Sequence, residues 1–151
     1  MNNHIEKEFK VTVRVPGSKS LSQRALVAAA LARGDSVISN VLVSQDTTYL
    51  IGGLRELGAE IKETENGFAV SGTGGRLSGS GRELFLGNNG TALRFLTALV
   101  CLGKGQYVLT GEKRLCERPV GALADALREM GVNVQTHHHC PPVCISADGL
   151  A

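Results

Sequence analysis

Two segments of the chain place a cationic side chain at the start of a predicted helix, just after a glycine. The first, residues 16–24, reads PGSKSLSQR, and the second, residues 86–94, reads LGNNGTALR. A helix N-terminus carries partial positive charge, so a lysine or arginine there is unfavourable by about 0.3–1 kcal/mol. We therefore expect each segment to bind an anion that compensates this charge.

In the first segment, Lys19, Ser20 and Arg24 could bind the anion. Ser20 and Arg24 are four residues apart and share a helix face, with Lys19 at its edge. An ammonium, a hydroxyl and a guanidinium together suit a phosphate or a carboxylate. The alternative is an ordinary solvated helix start. A nucleotide P-loop is excluded, because the Gly-Lys pair and the glycine five residues before it are absent.

In the second segment, Asn88 and Gly90 lie at a predicted strand-to-helix turn, where exposed backbone N–H groups can hold an anion. Thr91 and Arg94 are three residues apart on the following turn. The alternative is a plain N-cap formed by asparagine or threonine, which would leave Arg94 unexplained.

Arg118 is a third candidate, because Pro119 holds it extended at the start of the next predicted helix. Taken alone, it is better explained as a surface charge. A micromolar ligand needs about 8 kcal/mol of net binding free energy, and one charge-assisted hydrogen bond contributes about 1.5–3 kcal/mol. Neither segment is sufficient by itself. We therefore expect Lys19, Arg24, Arg94 and Arg118 to converge on two anionic groups.

Two further groups of polar residues have simpler interpretations. Asp46 begins a predicted helix, where its charge is favourable to the helix dipole. Residues 137–140, HHHC, with Cys144 beyond, suggest a metal site. Neighbouring strand residues point to opposite faces, so three consecutive histidines do not readily ligate one ion. We interpret this tract as a polar hairpin turn.

The composition argues against several classes of partner. With 16 basic and 14 acidic residues the net charge is +2, which indicates neither nucleic acid nor a membrane surface. Tryptophan is absent, which disfavours base stacking. No apolar run approaches the roughly 20 residues of a membrane helix, and the first residues lack a signal peptide's apolar stretch. The four cysteines are predicted to be free thiols of a cytoplasmic protein.

The elements that position these residues repeat along the chain. After an opening strand at residues 9–15, the pattern predicts helix, strand, helix, strand, strand, and then the same order again. The first set is predicted at residues 20–33, 36–42, 45–57, 59–64 and 67–71, and the second at 90–102, 106–110, 119–130, 132–136 and 143–146.

A duplication explains this order. Residues 54–61, LRELGAEI, match residues 127–134, LREMGVNV, and two more pairs of positions keep a spacing of 70 to 75 residues. We predict a mixed α/β (α+β) fold built from two βαβαββ units, residues 16–86 and 87–151, after an N-terminal strand within residues 1–15.

Together these residues closely resemble the start of the 5-enolpyruvylshikimate-3-phosphate synthase family of enolpyruvyl transferases. The resemblance is carried by PGSKS at residues 16–20 with Arg24, LGNNGTALR at 86–94, LTG at 109–111 and ERPVG at 117–121. The sister enzyme that acts on UDP-N-acetylglucosamine shares the fold but differs at residues 16–24.

The resemblance implies two domains of three βαβαββ units each, of which two of the six would be present here. It implies transfer of the enolpyruvyl group of phosphoenolpyruvate to the 5-hydroxyl of shikimate 3-phosphate, with release of phosphate. This is a step of the shikimate pathway of aromatic amino acid biosynthesis and the target of the herbicide glyphosate. No cofactor and no metal are implied.

Roles are carried over position by position. Lys19 resembles the lysine that reaches both ligands, and a catalytic role is expected for it and for Asp46, an acidic residue near the cleft. The shikimate 3-phosphate ligands would be Lys19, Ser20 and Arg24. The phosphoenolpyruvate ligands would be Lys19, Asn88, Gly90, Arg94 and Arg118.

The chain departs from the family pattern at several positions. Asn89 stands where alanine is frequent, Phe95 where proline is frequent, and Thr47-Thr48 replaces a stretch that often carries an arginine. Gly90, against which glyphosate packs in the family, is kept. Family members are also much longer, so we expect an N-terminal segment that is inactive alone and whose partner is the remainder of the same enzyme.

Three alternatives remain at this point. The chain could be a stand-alone anion-binding or regulatory module of two repeats. It could be an enolpyruvyl transferase acting on another substrate. It could also complement a separate second chain.

Overall fold

The computed structural model describes residues 10–13, 15–78, 81 and 83–150. Its elements are α1 (Lys19–Leu31), β1 (Arg33–Ser39), α2 (Gln45–Glu56), β2 (Glu60–Thr64), β3 (Gly67–Thr73), β4 (Glu83–Phe85), α3 (Gly90–Leu99), a 3-10 turn (Val100–Leu102), β5 (Lys104–Thr110), α4 (Lys113–Cys116), α5 (Gly121–Glu129), β6 (Asn133–His137) and β7 (Cys140–Asp148). None of the helices formed by these residues is long and apolar enough to span a membrane.

Two sheets repeat one strand order. The first sheet is ordered β1-β3-β2 and the second β4-β5-β7-β6, so that β1-β3-β2 corresponds to β5-β7-β6. These neighbours are all antiparallel, whereas β4 pairs with β5 in parallel. The mixed α/β fold predicted from the sequence is confirmed.

The matching segments of the two halves make the same contact. Arg55, at the end of α2, donates from Nε and Nη2 to the Ile61 carbonyl at 3.1 and 2.6 Å. Arg128, at the end of α5, donates from Nε to the Val134 carbonyl at 2.9 Å. In each case a helix is tied to the strand that follows it, which gives a physical reason for the similarity of residues 54–61 and 127–134.

The core lies between the helices and the two sheets. Its centre is formed by Leu26 of α1, Leu50 and Leu54 of α2, and Leu93 and Leu96 of α3, each at most 1% exposed. The three helices pack in sequence, α1 on α2 and α2 on α3, and α1 also covers β3. The three helices that begin at the candidate site therefore share one continuous apolar core.

Local capping sets where the first two helices begin. Ser18 caps α1 by accepting from the Leu21 N–H. Ser44 and the buried Thr47 form a capping box at α2, in which Thr47 Oγ1 accepts from the Ser44 N–H at 2.7 Å. These caps are local in sequence, and the predicted starts of both helices were correct to within one residue.

Several predicted boundaries were wrong. Residues 10–13 and 15 form no strand, and Val11, Val13 and Val15 are exposed, because no described strand lies beside them to pair with. The remaining positions of that prediction, Phe9 and Arg14, lie outside the described residues. Strand β1 begins at Arg33 rather than at residue 36, since Gly34 pairs with Gly72 instead of only ending the helix.

The structure also contains two elements that the sequence did not predict, β4 and α4. Strand β4 has three residues, too few for a periodic pattern, and exists through its parallel pairing with β5. It falls within residues 16–86, assigned above to the first unit, but its hydrogen bonds are with the second sheet. This pairing favours a boundary between the units before Glu83.

Candidate functional site

The first part of the candidate site joins the starts of α1 and α2. Lys19, the first residue of α1, donates from Nζ to Asp46 Oδ2 at 2.7 Å. Asp46 lies in the first turn of α2. The two side chains remain 51% and 31% exposed, so the ion pair is accessible to solvent. An exposed pair contributes about 0–1 kcal/mol, so an anionic ligand can compete with Asp46 for the ammonium.

Ser20 and Arg24 share a face of α1, as their spacing predicts. Arg24 Nη1 donates to the Ser20 carbonyl at 3.0 Å and to Ser20 Oγ. Its guanidinium also lies 5.5 Å from the centroid of the Phe95 ring, a cation–π contact with α3. The arginine is therefore held between α1 and α3 with its charge exposed to solvent.

The turn before α3 is close-packed and carries Asn88. Gly87 has φ +55°, and a Cβ there would lie 2.1 Å from the Tyr49 ring, so only glycine fits. Asn88 Nδ2 donates to Glu112 Oε2. Asn88 Oδ1 is buried and accepts no hydrogen bond from the described residues. One of the two N–H donors of the Asn88 amide, a group that could bind an anion, is thus paired with a carboxylate.

Gly90 brings Arg94 and Arg118 together. Arg94 donates from Nη1 to the Gly90 carbonyl at 2.9 Å and from Nη2 to the Pro119 carbonyl at 3.1 Å. A Cβ at Gly90 would lie 2.9 Å from Arg118 Nη1 and 3.2 Å from Arg94 Nη1. Two guanidinium groups therefore meet at one residue, an arrangement that a carboxylate or phosphate would stabilise.

Arg94 lies later in its helix than the sequence predicts. Lys19 does occupy the first turn of its helix, but Arg94 is the fifth residue of α3 and lies one residue beyond the first turn. Helical side chains lean toward the N-terminus, which is why its guanidinium still reaches back to Gly90. The electrostatic argument for an anion holds for Lys19 and is weaker for Arg94.

Asn89 is a site residue whose role the sequence did not reveal. It caps α3, accepting on Oδ1 from the Thr91 and Ala92 N–H groups at 3.1 and 2.9 Å. Its Nδ2 donates to Gln23 Oε1 and to the Asp46 carbonyl at 2.9 and 2.7 Å. The sequence indicates the capping role, since Asn89 directly precedes the helix. It does not indicate the two hydrogen-bond partners of the side chain, which lie 43 and 66 residues away.

The predicted residues therefore form two groups. One contains Lys19, Ser20, Arg24 and Asp46; the other contains Asn88, Gly90, Arg94 and Arg118. Among the described residues, no hydrogen bond or ion pair joins a residue of the first group directly to a residue of the second. They are connected through Asn89 and through the Arg24–Phe95 contact.

Residues 137–140 form the hairpin turn predicted for them. His138 and His139 have φ +50° and +61°, and His137 pairs with Cys140 across the turn. Within the described ranges no three His, Cys, Asp or Glu residues are arranged to hold a metal ion. All four cysteines are free thiols, and burial raises the pKa of the Cys101 thiol.

Comparison with known proteins gives a consistent result. A family model described as EPSP synthase (3-phosphoshikimate 1-carboxyvinyltransferase) matches residues 4–151. The 3-phosphoshikimate 1-carboxyvinyltransferase of Vibrio vulnificus is 45% identical over 149 residues, covering 95% of this chain and 35% of that protein. That of a Sulfurovum species is 50% identical over 143 residues, covering 91% and 34%. The chain spans about a third of the length of the curated relatives it matches.

A solved structure agrees. EPSP synthase from Acinetobacter baumannii superposes with a TM-score of 0.85 and 32% sequence identity, covering 91% of this chain and 32% of that one. The resemblance stated from residues 16–24, 86–94, 109–111 and 117–121 is confirmed. The chain belongs to the EPSP synthase (3-phosphoshikimate 1-carboxyvinyltransferase) family.

Proposed function

We propose that this chain supplies the shikimate 3-phosphate and phosphoenolpyruvate half-sites of an enolpyruvyl transferase. The reaction moves the enolpyruvyl group of phosphoenolpyruvate to the 5-hydroxyl of shikimate 3-phosphate and releases phosphate. The observation that carries the proposal is the pair of guanidinium groups of Arg94 and Arg118 at Gly90, beside a second cationic group at the start of α1.

Each group of residues fits one ligand. Lys19, Ser20 and Arg24 present an ammonium, a hydroxyl and a guanidinium, which suit the phosphate of shikimate 3-phosphate. Arg94 and Arg118, which meet at Gly90, suit the carboxylate and phosphate of phosphoenolpyruvate together with the Asn88 amide.

Lys19 is proposed to contact both ligands, since it lies at the edge of α1 and is held by Asp46 until they bind. Asp46 has two functions in this scheme. It orients the ammonium in the free protein, and its carboxylate stays within hydrogen-bond reach of a lysine that can donate a proton to, or accept one from, the reacting groups.

The proposal is tested by titrating the isotope-labelled chain with each ligand and following its NMR signals. Phosphoenolpyruvate should shift the signals of Gly90, Arg94 and Arg118, shikimate 3-phosphate should shift those of Arg24, and both ligands should shift those of Lys19. Arg118→Ala should weaken phosphoenolpyruvate binding about 10- to 100-fold, the loss of one charge-assisted contact.

Arg114→Ala is the matched control, because Arg114 is exposed on α4 and outside the candidate site. Equal weakening by both variants would indicate a general charge effect and contradict the assignment. Micromolar affinity for phosphoenolpyruvate, lost in Arg24→Ala and Arg94→Ala, would instead favour a stand-alone anion-binding module.

A further inference from the structure

We propose that Asn89 is a positioning residue that couples the two half-sites, by fastening the start of α3 to α1 and α2. The inference rests on the proposed function, because it concerns the relative placement of the two ligand-binding groups. It assigns to Asn89 a task beyond that of a helix cap.

The Asn89 side chain is buried and its hydrogen bonds are complete. The residue is 2% exposed. An asparagine amide offers two acceptor sites on Oδ1 and two donors on Nδ2. Both acceptor sites are used by the N–H groups of α3, and both donors are used by Gln23 and Asp46. A buried polar side chain with every bond satisfied is specific in its orientation, since any rotation breaks several bonds.

One side of this network reaches the lysine. Nδ2 donates to the backbone carbonyl of Asp46 at 2.7 Å, and the carboxylate of the same residue holds Lys19 Nζ at 2.7 Å. The second donor reaches Gln23, which is 1% exposed and lies on α1 between Ser20 and Arg24. Asn89 is therefore bonded to both elements that carry the first group.

The other side reaches the arginines. The two N–H groups that Oδ1 accepts belong to the first turn of α3, which begins at Gly90. The guanidinium groups of Arg94 and Arg118 lie against Gly90. A displacement of the start of α3 would therefore move the residues proposed to bind phosphoenolpyruvate relative to Lys19. The hydrogen bonds of Asn89 oppose that displacement.

Capping and bridging can be separated by substitution. Asn89→Ser keeps a neutral residue that caps helices well, but its short hydroxyl lacks the amide group that donates to Gln23 and Asp46. Thr97→Val is the matched control on the same helix. Thr97 is buried and its Oγ1 has no hydrogen-bond partner in the described part of the chain, so loss of this hydroxyl breaks no bond.

The experiment is a phosphoenolpyruvate titration of the isotope-labelled chain, followed through the amide signals of Gly90 on one side and of Asp46 and Thr47 on the other. In the unsubstituted chain we expect both sets of signals to shift with a common binding curve. In Asn89→Ser we expect the Gly90 response to persist at about five- to tenfold lower affinity. The Asp46 and Thr47 shifts at saturation should shrink to the part that direct contact of phosphoenolpyruvate with Lys19 causes. Thr97→Val should behave as the unsubstituted chain.

The outcomes are distinguishable. Asp46 and Thr47 shifts of undiminished size at saturation in Asn89→Ser would overturn the coupling and leave the proposed function intact. An equal reduction of those shifts in Thr97→Val would also overturn it, because the effect would then be general to α3. If the unsubstituted chain shows no response to phosphoenolpyruvate at all, the proposed function fails on this chain and the coupling fails with it.

Discussion

At the scale of single residues, three cations of the candidate site are held by other groups of the protein itself. Asp46 holds Lys19, the Ser20 carbonyl holds Arg24, and two backbone carbonyls hold Arg94. These partners keep the cations in place while the site is open to solvent. Binding of an anion would then exchange these solvent-exposed contacts for contacts with the ligand.

Glu112 is the clearest competitor for a ligand, because its carboxylate accepts from the Asn88 amide. We expect Glu112→Ala to tighten phosphoenolpyruvate binding about two- to fivefold, since it frees this donor and removes a nearby negative charge. Isothermal titration calorimetry measures the change.

Glu112→Gln serves as the control for that experiment. It removes the charge but keeps an oxygen that can accept from Asn88, so we expect it to recover only part of the gain. No gain in affinity from Glu112→Ala would mean that the Asn88 amide is not used by the ligand.

At the scale of elements, the starts of the helices form the site and the packing of the helices orients it. Each start is defined locally, by Ser18, by the Ser44–Thr47 capping box and by Asn89. Their relative placement is not local, because it depends on how α1, α2 and α3 pack on one apolar core. The effect of replacing a glycine at one of these helix starts therefore depends on the atoms that the new side chain would meet.

Gly90→Ala and Gly52→Ala form a matched pair that tests this point. A Cβ at Gly90 would press on the guanidinium groups at 2.9 and 3.2 Å, whereas a Cβ at Gly52, in the exposed face of α2, would meet nothing within 4 Å. We expect Gly90→Ala to weaken phosphoenolpyruvate binding about 10- to 100-fold, as one charge-assisted contact is lost.

Gly52→Ala should leave binding unchanged and raise the free energy of unfolding by about 0.5–1 kcal/mol, since alanine is the better helix former. Calorimetric titration and chemical denaturation measure the two quantities. Unchanged binding in Gly90→Ala would show that the arginines can move aside without loss of the site.

At the scale of the whole molecule, the two halves are alike in strand order and in the contacts of Arg55 and Arg128. Each half contributes one of the two groups of candidate site residues. The relatives that the chain matches are about three times its length, so the residues here correspond to about a third of each of those proteins.

We predict that the 151-residue chain does not catalyse release of phosphate from phosphoenolpyruvate and shikimate 3-phosphate. Its two cationic groups face solvent on one side, where the ligands stay hydrated and electrostatic interactions are screened. A steady-state phosphate assay measures this, with the full-length Vibrio vulnificus relative as the positive control. Turnover by the chain alone would contradict the prediction.

The stability of the molecule should fall in alkaline solution. Burial raises the pKa of the Cys101 thiol above its ordinary value of 9.0 and that of the Tyr107 phenol above 10.0. The unfolded chain therefore loses these protons first as the pH rises, so the folded state binds more protons and the free energy of unfolding decreases from about pH 9 upward.

Urea denaturation across this pH range measures the slope. Cys101→Ala and Tyr107→Phe should each flatten part of it, because each removes one titrating group. A slope that neither variant changes would assign the pH dependence to other groups.

Much of this architecture was predictable from the sequence because its signals are local. The apolar pattern predicted α1 and α2, the polar tract predicted the hairpin turn at residues 137–140, and the glycine turns with their cations predicted the two groups of the candidate site. The motifs at residues 16–24, 86–94, 109–111 and 117–121 indicated the family, which the comparisons confirmed.

Other features were decided only by the tertiary structure. Strand β4 exists through pairing with β5, residues 10–13 and 15 form no strand because no described strand pairs with them, and Asn89 meets partners 43 and 66 residues away. The physical reason is the same in each case. The sequence by itself determined which residues could cap a helix or bind an anion, through interactions within a turn or two. Which of them meet depends on long-range strand pairing and helix packing, and only the folded chain brings Lys19, Asp46, Asn89 and the arginines at Gly90 into one connected site.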